Sequence, residues 1–171
     1  MKSCSITKID CMFRKYLIFN ILLFFGLLCN AETVFNLKWH SENLPFDVKT
    51  ARATTAVKRR VGETGTFSEK LNLPISNQMP DGKIALNNSE NGYVYLFIKN
   101  NSKKNIRFSV APHSTHPGAS ALGFVFNCLC NGHVYTAKPN QIWYRIMELK
   151  NDSTNRQKDI ELTHHIFEIK K

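Results

Sequence analysis

Short runs of β-branched and aromatic residues, each closed by a turn signal, leave this chain little choice of fold. "VFNLKWH" (34–40) alternates apolar and polar positions, the pattern of a half-buried strand. "YVYLFIKN" (93–100) is dense in residues that favour strands, and "NNSKKN" turns it toward "IRFSVAP" (106–112), which predicts a hairpin. "LGFVFNCLCN", "QIWYRIMELK" (141–150) and "DIELTHHIFEI" (159–169) continue the series, with a turn at Lys138-Pro139-Asn140. "TTAVKRRV" (54–61) is read as a further strand ending at Gly62. Residues 63–91 are rich in Asn, Ser, Pro and Gly and read as a loop or short edge segments, with Pro80-Asp81-Gly82 as a turn. Beyond residue 31 no long stretch has a 3.6-residue apolar period, so the expectation is an all-β, immunoglobulin-like β-sandwich. The Cys…Trp…Cys pattern of antibody domains is absent, so the likeness is one of architecture.

The first 31 residues follow another logic. Lys8, Arg14 and Lys15 precede the apolar run Tyr16 to Cys29, and the small Ala31 follows. That order predicts a signal peptide or membrane anchor over 1–31, with residues 32–171 as one exported domain. Setting aside residues 1–31, which hold four Lys/Arg and one Asp, lowers the formal charge from +10 to +7. The remaining basic residues are scattered, and their one compact group, Lys58-Arg59-Arg60, has no interleaved aromatics. No nucleic-acid partner is expected from such a pattern; an anionic membrane surface or acidic partner suits it better.

Of five cysteines only Cys128 and Cys130 lie beyond residue 31. In a strand, residues i and i+2 share a face, so both sulfurs would leave one side while Leu129 enters the core. Their α-carbons would then be about 6.5–7 Å apart, at the limit for a disulfide, which favours metal binding over a structural bridge. Thiolates suit Cu(I), zinc and iron–sulfur clusters. Zinc and clusters normally take four protein ligands, whereas Cu(I) accepts fewer, so Cu(I) fits a two-thiol site best. Two chains meeting face to face would share copper through four thiolates, a copper-bridged homodimer.

His113, His116 and His133 lie near the pair in sequence and are candidate third ligands, although each taken singly reads as a solvated loop histidine. His164 and His165 point to opposite faces of the last strand, so at most one can face the site. Met79 and Met147 read as packing residues. Glu63, Glu69 and Asp81 are scattered, and no H-E-x-x-H, G-x-S-x-G or phosphate-loop pattern occurs, so no enzyme activity is expected.

Several of these stretches, in order, resemble the copper-delivery assembly factors of cytochrome c oxidase: "LPFDVKTARATTAVKRRVGE", "YVYLFIKNNSKKNIRFSVAP", "FNCLCNGHVYTAKPNQ" and "DIELTHHIFE". The resemblance spans roughly residues 34–169 and implies Cys128 and Cys130 as Cu(I) ligands, with Cys29 standing for a cysteine near the membrane end of that family. It implies a chaperone in the inner membrane facing the periplasm, or in the mitochondrial intermembrane space, that delivers copper to an oxidase subunit; cleavage of the signal would make it soluble in the periplasm. Departures are Leu129 and Asn131 where the family has aromatics, Leu122-Gly123 for its Tyr-Phe, Tyr144-Arg145 for its Met-Pro, and an apparent insertion over 64–91. The alternatives are an exported immunoglobulin-like binding module without metal, and a copper storage or detoxification protein.

Overall fold

A computed structural model of the chain describes residues 32–67, 73–79, 81–118 and 123–170. The signal or anchor segment expected over 1–31, and Cys29 within it, lie outside the described residues. The described residues belong to one compact unit, Ala31–Lys171.

The described residues of that unit are nearly all strand and loop, with a 3₁₀ turn at Thr55–Arg60. The strands are β1 (Glu32–His40), β2 (Phe46–Ala53), β3 (Thr64–Phe67), β4 (Ile75–Gln78), β5 (Lys83–Asn87) and β6 (Asn91–Asn100) in the first half. They continue with β7 (Ile106–Val110), β8 (Ser114–His116), β9 (Phe124–Asn127), β10 (Tyr135–Ala137), β11 (Ile142–Asn151) and β12 (Asp159–Glu168). Two sheets form. One runs β10-β7-β12-β1-β5 with β8 also on β12; the other runs β3-β11-β6-β2-β4 with β9 also on β11. The expected β-sandwich is present.

Its main core lies between the sheets, where Phe35, Leu37, Ile84 and Leu86 of one meet Val94, Leu96, Ile98, Met147 and Leu149 of the other. Met79 and Met147 belong to this core, the packing role expected of them. The continuous apolar run of β6 has a physical reason: the strand is buried on both faces. Tyr93 and Tyr95 point to the outer side, where with Tyr144, Ile146, Val57 and Leu73 they form a second, smaller core.

Three local expectations change. Residues 54–61 are not a strand; Thr55–Arg60 is a 3₁₀ turn lying on the outer core. Only Val57 of the turn is fully buried, and the basic Lys58 and Arg59 stay in solvent. The β6–β7 hairpin does not form, because β6 already lies between β2 and β11 and has no free edge. Instead the buried Asn100 amide donates to the Lys104 and Ala137 carbonyls and turns the chain into the opposite sheet. Residues 63–91 hold three short strands, β3, β4 and β5, each at a sheet edge, so the reading as edge segments holds. Gly82 closes the turn before β5 with φ +66°, and a Cβ there would strike the Leu37 carbonyl.

Candidate metal centre

The thiol pair sits where the chain changes sheets. β9 pairs with β11 in one sheet, and β10 pairs with β7 in the other, so residues 128–134 cross between them. The strand ends at Asn127. From there Cys128 N–H donates to the Phe126 carbonyl (3.0 Å) and Asn131 N–H to the Leu129 carbonyl (2.8 Å), two tight turns in succession. Leu129 is fully buried, as expected, and pins the turn to the core.

This corrects the extended-strand argument against a Cys128–Cys130 bridge. The chain is turned, its α-carbons are 5.5 Å apart, and the two sulfurs are bonded as a disulfide. Two-electron reduction converts the pair into the dithiol that a metal would need.

Four donors converge here. The ligand atoms of His113, Cys128, Cys130 and His164 all lie within 4.8 Å of one another. His113 Nδ1 is 3.8 Å from Cys128 Sγ and 3.7 Å from Cys130 Sγ. The two histidines come from the opposite sheet to β9: His113 from the link between β7 and β8, His164 from the inward face of β12. His165 faces solvent, so the alternation expected for this pair of histidines is observed. His116 and His133 are exposed and are not members of the cluster. Ligand counting from sequence had therefore stopped too early: the four donors make a Cys₂His₂ set, which suits zinc as well as Cu(I).

His164 is the most telling member. It is fully buried, yet neither ring nitrogen has a hydrogen-bond partner among the described residues. Leaving a buried polar group unpaired costs roughly 1–3 kcal/mol. The ring is stacked on its register partner Trp39 at 4.1 Å and lies against the edge of Phe126 at 5.5 Å. Burial, reinforced by the charge His113 would carry, pushes the His164 pKa down to about 3; the backbone of Lys38 and Leu162 pulls weakly the other way without hydrogen-bond geometry. Burial lowers the His113 pKa as well. Both imidazoles are thus held neutral, the form that donates a lone pair to a metal.

The donors divide into an inner pair, Cys128 and His164, and a half-exposed outer pair, His113 and Cys130. The outer pair opens into a pocket of about 370 Å³ beside Pro112, Asn127 and Asn131. A larger pocket of about 790 Å³ by Trp39, Met79 and Phe97 has no such donor set among the described residues.

Arg145 supports the thiol turn and was not singled out by its sequence position. Its guanidinium donates to the Cys128 carbonyl (3.4 Å) and the Gly62 carbonyl (2.9 Å), and it lies 5.8 Å from the Tyr135 ring centre. Tyr135 in turn donates its hydroxyl to Asn131 Oδ1 (3.1 Å). In a strand, residue 145 shares its face with Trp143 and Met147, and a cation in that apolar series was the available signal.

Across residues 33–169 the sequence matches a family described as a domain of unknown function, DUF8709. The chain belongs to this family. No curated protein and no solved structure matches it. The His/Cys cluster is a concentration of metal-ligating side chains in this DUF8709 domain. Among the described residues no helix is long and apolar enough to cross a membrane.

Proposed function

We propose that the protein is a copper chaperone that binds Cu(I) through Cys128 and Cys130 and passes it by ligand exchange to a copper enzyme. The observation that carries this reading is His164, buried and without a hydrogen-bond partner among the described residues, beside donors that lie within 4.8 Å of one another. A bound ion would use the lone pair that the fold leaves idle. Thiolates favour the cuprous state, and His113 at the pocket mouth supplies a third donor. The half-exposed Cys130 and His113 give an acceptor's ligands a place to attack while Cys128 holds the ion from inside. The copper site of cytochrome c oxidase as acceptor, and tethering by the N-terminal segment, rest on the resemblance of the sequence stretches alone.

Zinc is the second reading, favoured by the two thiol and two imidazole donors. Competition decides between them. The reduced full chain, titrated with Cu(I) against a cuprous chelator and with Zn(II) against a zinc chelator, should hold a single Cu(I) more tightly than zinc. Cys128→Ser with Cys130→Ser should remove Cu(I) binding with the strand content unchanged. Stoichiometric Cu(I) retained by that variant sinks the proposal. Tight binding without transfer to an apo-oxidase subunit would instead point to storage, and no binding of either ion to a metal-free binding module.

A further inference from the structure

The strand pair that carries His164 inward also presents histidines outward. β1 and β12 run parallel, with Trp39 opposite His164 and His40 opposite His165. Side chains alternate along each strand, so the inner Trp39–His164 pair is followed at once by an outer His40–His165 pair. Both outer rings are exposed, 5.2 Å apart between centres, and within 21° of parallel.

We propose that His40 and His165 form a second metal site, a surface bis-imidazole clasp for a borderline divalent ion such as Cu(II), Ni(II) or Zn(II). Neighbouring positions in a ladder hold their α-carbons at nearly fixed separation, so two imidazoles there can close on one ion after side-chain rotation alone. Imidazole nitrogen suits copper, nickel and zinc, whereas hard ions such as Mg(II) and Ca(II) want oxygen. The neighbouring charges leave the pair free for this. On the same face Lys38 and Glu161 are joined in an ion pair (2.6 Å), with Thr163 donating to the Glu161 carboxylate (3.3 Å). His116, the remaining histidine of this face, stands opposite Glu161 and away from the His40–His165 rung.

Two protein ligands leave the other coordination positions to water, so ions here exchange freely with the surroundings. The outer site differs from the inner one in its donors, nitrogen alone against sulfur with nitrogen, and hence in the ions it prefers. It does not depend on the copper reading of the inner cluster.

The test removes the inner site first. The full chain carrying Cys128→Ser, Cys130→Ser and His164→Leu, without a polyhistidine tag, is titrated with Ni(II) by calorimetry. It should take up a single equivalent that is lost on adding either His40→Gln or His165→Gln and kept on adding His116→Gln. Cu(II) bound to the parent should show nitrogen hyperfine coupling in its electron paramagnetic resonance spectrum, weakened in the same two variants. These substitutions are at exposed positions, and circular dichroism verifies that the sheets survive. Ni(II) uptake unchanged in the His40→Gln/His165→Gln double variant, or absent from the parent, overturns the assignment.

Discussion

β11 stands between two polar clusters of opposite character. On its outer side Glu63 accepts bonds from Arg60 Nε (2.8 Å) and Arg60 Nη2 (2.6 Å) and from the Tyr144 hydroxyl (3.0 Å). Both oxygens of the Glu63 carboxylate are bonded there, and the guanidinium holds the Glu63 pKa down to about 2. On the other side the His113–Cys128–Cys130–His164 cluster is neutral and half to fully buried, and among the described residues both nitrogens of His164 are unpaired. Arg145 touches both, through the Gly62 carbonyl next to Glu63 and through the Cys128 carbonyl. A charged, saturated network completes itself and acts as a fastening. A neutral, unsaturated one leaves lone pairs that a metal ion could take up.

The contrast can be broken most forcefully by adding metal. Cu(I) at a hundredfold excess over its dissociation constant should stabilise the reduced protein by about 2.7 kcal/mol, read as a rise in the denaturation midpoint. The cluster joins elements of both sheets, so the gain should be lost in Cys128→Ser/Cys130→Ser, whereas Glu63→Gln should keep it. An equal gain in the double serine variant would place the metal elsewhere.

His164→Leu should separate stability from binding. Without metal it removes the unpaired nitrogens and should stabilise the protein by about 1–3 kcal/mol, while weakening metal binding. A large loss of stability in the metal-free variant would show that the imidazole is a structural partner after all. Trp39, stacked on that ring, should report occupancy: its fluorescence should fall as Cu(I) binds wild type and respond far less in His164→Leu.

On the fastened side, Tyr144→Phe should cost about 0.5–1.5 kcal/mol in chemical denaturation, the worth of one hydrogen bond, with metal affinity unchanged. The smallest effect is in pH. The Glu63 pKa is about 2 in the folded chain against 4.5 ordinarily, so its contribution is complete above about 4.5 and is lost as pH falls through about 2. Both side chains of the pair are more than a third exposed, at 38% and 39%, so solvent screens it and the slope should be slight. Glu63→Gln should flatten that slope in acid denaturation; an unaltered acid limb would assign it to other carboxylates.

Much of this was legible along the chain. Alternation in "VFNLKWH" marked β1 and its buried Phe35 and Leu37, and "DIELTHHIFE" placed His164 and His165 on opposite faces of β12. The "YVYLFI" run marked a strand, although its burial on both faces came only with the two cores that enclose it. The failures were non-local. "TTAVKRRV" is apolar enough for a strand, yet becomes a 3₁₀ turn over the tyrosines of β6 and β11. "NNSKKN" is a good hairpin turn, yet the edge it would have used is occupied by other strands.

The candidate site divides the same way. Cys128 and Cys130 stand out because covalent spacing alone keeps two thiols together, and Leu129 between them was bound to seek the core. Strand periodicity likewise settled that one of His164 and His165 would turn inward. Which histidines meet the thiols was decided only by the packing of the two sheets. His113 lies 15 residues before Cys128, and His164 lies on β12, an inner strand of the opposite sheet. Side-chain spacing along a strand reports which face a residue takes. Only the closure of one sheet on another sets what that face will meet.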